Sequence, residues 1–301
     1  MAIWSHRDYT TNMSAQHRFP MGKYSALREL LRADPRFAGR MVEPHPIKLA
    51  HLLESHDQAY VEAVMTSTHN RDLEKRLGLP FSPALARRAS LAASGTLQAA
   101  LHALQHGFAM NTAGGSHHAD VHGGRGFCTF NDVAVSVKVL TKTQPNLRMV
   151  VLDLDVHQGD GTAQMLRELP NCFTISVHCE DNYPHPKTYS DFDIGLRRGS
   201  KDEVYLMAVE KALQHVISFQ PHLVFYNAGV DIHKEDRLGH LHVTDQGLRA
   251  REDMVLSCLH HLRCPLVVVM GGGYGVSTQD IALRHLVVFE QAQRIYWSNK
   301  A

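Results

Sequence analysis

Short β-branched apolar runs alternate along this chain with longer stretches in which apolar residues recur every three or four positions. The two periods match the side-chain geometry of strands and helices. Helical spacing covers residues 23–33, stopping before Asp34-Pro35, and residues 47–66, with an interruption near His56-Asp57. It returns in an Ala-rich stretch at 82–105, capped by Ser82-Pro83, and at 131–140, at 162–169 behind Gly161 and at 202–219. The strand-like runs open at Val150, Phe173, Leu223 and Leu266. With no internal repeat and no low-complexity linker, the alternation predicts an α/β fold. We expect one domain, residues 1–301, built on a doubly wound parallel sheet with helices on both faces.

What ends those strands carries the chemistry. The run from Val150 leads into Asp153-Leu154-Asp155-Val156-His157-Gln158-Gly159-Asp160-Gly161. On an extended strand Asp153, Asp155 and His157 share a face, and three such groups are costly to bury unless a cation neutralises them. A metal ion answers that cost, while a polar, N-capping turn is an equally good account of this motif alone. The strands finish in Asp155 and His157, in Ser176 and His178, in Asp231, and at Tyr274 behind Gly271-Gly272-Gly273. Any one of these is an ordinary cap or turn. Together they sit where open α/β sheets bind ligands, outside the carboxyl ends of the strands. A His117-His118 pair between Gly114-Gly115 and the Gly-rich segment Gly123-Gly124-Arg125-Gly126-Phe127 adds a loop that something must approach closely, although two adjacent histidines more often mark a plain loop.

Composition narrows the classes. A formal charge of +1 argues against a dedicated nucleic-acid binder. Most of the 22 histidines are expected at the surface or in caps. The five cysteines form no C-x-x-C pair or even framework, which suits a reducing compartment. The first residues lack a signal-peptide pattern, and no run of about 18 apolar residues occurs. We expect a cytoplasmic protein without a membrane span.

These motifs, in this order, resemble the histone deacetylase superfamily, whose sheet is shared with arginase. The likeness spans nearly the whole chain: His17-Arg18-Phe19-Pro20-Met21, Gly114-Gly115-Ser116-His117-His118-Ala119, Gly126-Phe127-Cys128, the 153–161 segment, Asn227-Ala228-Gly229-Val230-Asp231 and Gly271-Gly272-Gly273-Tyr274. Gln158 and Asp236-Arg237-Leu238-Gly239 are similar to class IV and related bacterial members. The resemblance implies that Asp155, His157 and Asp231 bind one divalent metal, zinc (Zn2+) in the first place, with Fe2+ or Co2+ admitted by the oxygen-rich set.

It implies further that His118, paired with Asp160, is the general base and acid on a metal-activated water, that His117, paired with Asp153, is its electrostatic partner, and that Tyr274 stabilises the oxyanion. Some class IV relatives carry Asn at the Asp160 position, where this chain keeps a carboxylate. Gly126, Phe127 and Tyr183 would flank a substrate tunnel, and K+ would sit by Asp153, Asp155, His157, Ser176 and Val177. The expected substrate is an acylated lysine, or a small acylated amine. One alternative is an acylpolyamine deacetylase, with Glu180 and Asp181 holding the cation; another is a non-catalytic metal-binding interaction protein on the same fold.

Overall fold

The computed structural model describes residues 2–14 and 17–297; Met1 and residues 298–301, the ends of the expected 1–301 unit, lie outside the described residues. Among the described residues eight strands form: β1 (Ala2–Trp4), β2 (Met41–Val42), β3 (Phe108–Asn111), β4 (Met149–Asp153), β5 (Cys172–Cys179), β6 (Phe192–Leu196), β7 (Leu223–Asn227) and β8 (Leu266–Val269). They make one sheet in the order β2-β1-β3-β8-β7-β4-β5-β6, and every pairing is parallel.

The central strands read as unbroken apolar runs because both of their faces are covered. Val150 and Leu152 of β4 pack with Val224 and Tyr226 of β7 in a core shared with the helices Lys23–Ala33, Asp202–Phe219, Asp245–His261 and Thr278–Tyr296. Met149 and Val151 pack with Phe225 on the opposite side, under the helices Pro83–His106, Asp132–Thr143 and Asp160–Leu166. A third, outlying cluster joins Leu52, Tyr60, Leu77, Phe81 and Phe130.

The connectivity places the ligand crevice. From β4 the chain runs outward to β5 and β6, then returns to the other side of β4 as β7, so order reverses between β4 and β7. The register aligns Asp153 with Asn227 on one side and with Ser176 on the other, and Asn227 with Val269. Polar residues that follow this row therefore share one edge.

Two expectations shift. β4 ends at Asp153, where the carboxylate accepts the Asp155 N–H (3.1 Å) and turns the chain out of the ladder, so Asp155 and His157 stand on the following loop and not on the strand. The helix expected at 162–169 runs Asp160–Leu166. The helical stretch at 47–66 does break where expected, into Leu49–Leu53 and Gln58–Met65.

Candidate active site

The loop after β4 is stitched by its own carboxylates. His157 N–H donates to Asp155 Oδ1 (3.0 Å), Val156 N–H to Asp231 Oδ1 (3.0 Å), and Gly272 N–H to Asp155 Oδ2 (2.6 Å). That last approach requires glycine: a Cβ on residue 272 would lie 1.9 Å from Asp231 Oδ2. One ligand atom from each of Asp155, His157 and Asp231 falls within 4.8 Å of the others, and all three residues are buried. His157 Nδ1 lies 3.1 Å from both carboxylates. Burial works against a charged imidazole here, yet Asp155 and Asp231 outweigh it and push His157 up to about 10. A proton thus occupies the place of a cation between two buried carboxylates, and an O, O, N donor set of this kind fits a divalent metal ion.

Two imidazole–carboxylate pairs flank that triad. His117 Nδ1 is 2.7 Å from Asp153 Oδ2, and His118 Nδ1 is 2.7 Å from Asp160 Oδ1. Both rings are buried; His117 Nε2 faces Asp155 Oδ1 at 3.8 Å, and His118 turns its Nε2 edge away from Asp160. Burial opposes the charge of His117, but Asp153 and Asp155 prevail and hold it up to about 9. Burial lowers His118 in the same way, and there the charges of His117 and His157 add to it, so His118 falls well below its ordinary value.

Tyr274 closes the other side. Its backbone N–H donates to Asp236 Oδ2 (2.6 Å), and its ring stands 6.0 Å from that of His157. Burial, reinforced by Asp155 and Asp231, pushes its phenol well above the usual value, so it remains a hydroxyl. A cavity of about 450 Å³ opens onto these groups, lined by His118, Gly126, Phe127, His157, Tyr183 and Tyr274 among others. Tyr183 meets His118 edge to face at 4.8 Å, and Phe127 packs 5.2 Å from Phe19 and 6.1 Å from Tyr274. Glu180 and Asp181 do not line this cavity; Glu180 instead faces His178 (3.7 Å). Ser176 Oγ bonds to His178 Nδ1 (3.0 Å), while Val177 is buried in β5.

Several supporting residues escaped the sequence reading. Asn227 Nδ2 donates to Asp153 Oδ1 (2.9 Å), and Arg125 is ion-paired with Asp160. Asp132, fully buried, accepts the N–H groups of Gly115 (3.1 Å) and Ser116 (2.8 Å) and so holds the loop before the histidine pair. Lys23 is buried with Nζ 3.1 Å from Gly271 O, beneath the turn that carries Tyr274. Arg125 and Asn227 lie inside motifs noticed for other residues; Asp132 and Lys23 look in sequence like ordinary helix-start positions.

Residues 17–288 match the family model described as "Histone deacetylase domain". An uncharacterized protein of Picosynechococcus sp. is 41% identical over 97% of this chain and 98% of its own length. Histone deacetylase 2 of Arabidopsis thaliana is 28% identical over 88% of this chain and 71% of its own. Among solved structures, an HDAC homolog complexed with SAHA superposes with a TM-score of 0.81 at 24% identity, over 97% of this chain and 84% of that one, a likeness of fold.

Proposed function

We propose, because this chain belongs to the histone deacetylase family, that residues 1–301 form one catalytic domain which removes acetyl or longer acyl groups from the ε-amino group of lysine. Family membership makes the chain a deacetylase; the substrate, the metal and the residue roles are this proposal. A single observation carries it: His157 of the Asp155, His157 and Asp231 cluster, His118 of one histidine–aspartate pair and Tyr274 line one cavity, with the partner carboxylates and the His117–Asp153 pair packed directly behind them.

Asp155, His157 and Asp231 would hold the divalent ion, with zinc the first choice and Fe2+ or Co2+ admitted by the donor set. When bound, the ion supplies Lewis acidity that polarises an amide carbonyl and acidifies water. His118, neutral at pH 7 and oriented through Nδ1 by Asp160, takes a proton on Nε2 and returns it to the leaving amine. His117, held protonated by Asp153, presents positive charge beside it. Tyr274 donates its hydroxyl to the developing oxyanion. Gly126, Phe127 and Tyr183 leave a passage for the methylenes of the lysine.

K+ belongs to the same reading, at Asp153, Asp155, His157, Ser176 and Val177; the pairing of Asp153 with Ser176 across β4 and β5 supports it. The class IV resemblance is a separate part of this reading; Gln158, one of the residues that carry it, donates through its amide to Thr188 O (2.8 Å) and Asp193 Oδ1 (3.0 Å). All five cysteines are free, in keeping with a cytoplasmic setting, and among the described residues no helix is long and apolar enough to cross a membrane.

The test is turnover of one lysine peptide carrying acyl groups from acetyl to myristoyl, with acetylspermidine alongside, before and after chelation. Chelator-sensitive hydrolysis of the peptides is the expected result. Turnover of acetylspermidine alone would replace the lysine substrate with a polyamine, and metal binding without any turnover would leave a non-catalytic binding protein.

A further inference from the structure

The cavity wall includes Arg18, Lys75, Arg76 and Arg237 and, among the described residues, no Asp or Glu. The chain as a whole is almost balanced, with 31 Lys and Arg against 30 Asp and Glu. Average composition therefore does not account for a mouth of one sign.

Arg76 is neutralised by an ion pair with Asp120. Arg18, Lys75 and Arg237 are exposed and have no acidic partner among the described residues. The carboxylates nearest to them in sequence are engaged elsewhere. Asp236 spends its two oxygens on the N–H groups of Leu238 (2.8 Å) and Tyr274 (2.6 Å), and Glu74 accepts from Phe81 N–H (2.7 Å) and pairs with His69 (2.5 Å). The three free cations come from separate segments: the loop before Phe19, the helix Arg71–Leu77 and the loop after Asp231. The fold alone brings them to one rim.

We propose that the substrate is anionic beside its acylated amine. Resting on the acyl-lysine reading above, this means an acyl-lysine flanked by aspartate or glutamate, or a small acylated amine bearing a carboxylate. A rim of one sign concentrates oppositely charged substrate and speeds productive encounter, and it repels a cationic one. The polyamine alternative thereby meets a repulsive entrance. Three exposed contacts of this kind are together worth roughly three- to thirtyfold in kcat/KM.

The experiment uses the metal-loaded enzyme and three acetyl-lysine peptides of equal length, with glutamate, glutamine or lysine flanks. A second arm pairs 6-acetamidohexanoate with uncharged N-hexylacetamide, which separates a peptide source of charge from a small-molecule one. The expected order is glutamate, glutamine, lysine, spanning roughly tenfold at about 0.05 M salt and converging at about 0.5 M, where screening is short-ranged. In the double variant Lys75→Glu, Arg237→Glu the order should reverse; the wild-type salt series tests the same point if that variant fails to fold. Robust turnover with no flank dependence would overturn the inference and leave the lysine reading intact. Preference for the lysine-flanked peptide would overturn it as well, and no turnover of any substrate would overturn both.

Discussion

His117 and His118 are adjacent in the chain, their rings 4.1 Å apart and each Nδ1 2.7 Å from a buried aspartate, yet they are held at opposite ends of the imidazole range. Burial depresses both. Around His117 the carboxylates of Asp153 and Asp155 reverse that and hold it up to about 9. Around His118 positive charge predominates, from His117, His157 and Arg125, and Arg125 also occupies the partner aspartate, Asp160. The aspartate partner thus orients a ring, whereas the remaining charges decide whether it carries a proton. Two pairs of the same geometry can then serve as a base and as a fixed positive charge.

Removing either ring tests that division most severely. His118→Gln should lower kcat/KM on an acyl-lysine peptide by roughly 10²- to 10⁴-fold, the range of a lost general base. His117→Gln, which removes charge but no proton acceptor, should cost less, and a larger loss than in His118→Gln would exchange the two roles. Next comes the group opposite them. Tyr274→Phe should reduce turnover by about 10²-fold with metal content unchanged, and undiminished turnover would remove Tyr274 from the chemistry.

Arg125→Gln sharpens the comparison without touching either ring. Loss of the cation beside Asp160 should raise the His118 pKa, so the acid limb of the kcat/KM profile should move to higher pH. A profile that does not move would mean that Arg125 serves only to hold its loop.

How far this arrangement could be read in advance depended on distance along the chain. Asp155 and His157 are two residues apart and follow an apolar, β-branched run, so burial cost raised a metal beside a capping turn, and the other strand ends and the family resemblance were needed to choose between them. Arg125 and Asp160 are 35 residues apart, and Asn227 and Asp153 are 74 apart, so no local pattern links them. β1 and β3 are too short for a period to show, and β6, with Asp193 and Gly195 in an edge strand, lacks a continuous apolar face. The helix Asp245–His261 does have apolar spacing at Leu248, Val255, Leu256 and Leu259, but Arg251 and Glu252 interrupt the stripe; the structure buries them as an ion pair. The basic mouth was invisible for the same reason as Arg125, since Arg18, Lys75 and Arg237 meet only in the fold.

The smallest expected effect concerns a third kind of histidine, buried without a carboxylate. His56 Nδ1 lies 2.8 Å from Asp120 O and its Nε2 accepts the Asn131 N–H (3.0 Å), so the ring is neutral with its proton on Nδ1. A second proton would face the Asn131 N–H. Burial pushes His56 down to about 4, and it also outweighs the nearby Asp193 and Glu180 at His178, which falls to about 4. Between that value and the ordinary 6.5 the unfolded chain binds more protons than the folded one, so stability rises with pH across this window and is lost as pH falls through it. Each ring should cost about 1 kcal/mol between pH 7 and about pH 5.5. Urea unfolding of the wild type and of His56→Gln at the two pH values isolates that ring's share, and the variant should lose about 1 kcal/mol less than the wild type between them. Because Asn131 also donates through Nδ2 to Ala119 O (3.0 Å), the loop that carries His117 and His118 should be the first to loosen in acid. If the slope survives His56→Gln intact, burial does not hold that ring neutral, and the common depression assigned to His117 and His118 by burial loses its support, which leaves the charges around them to account for both rings.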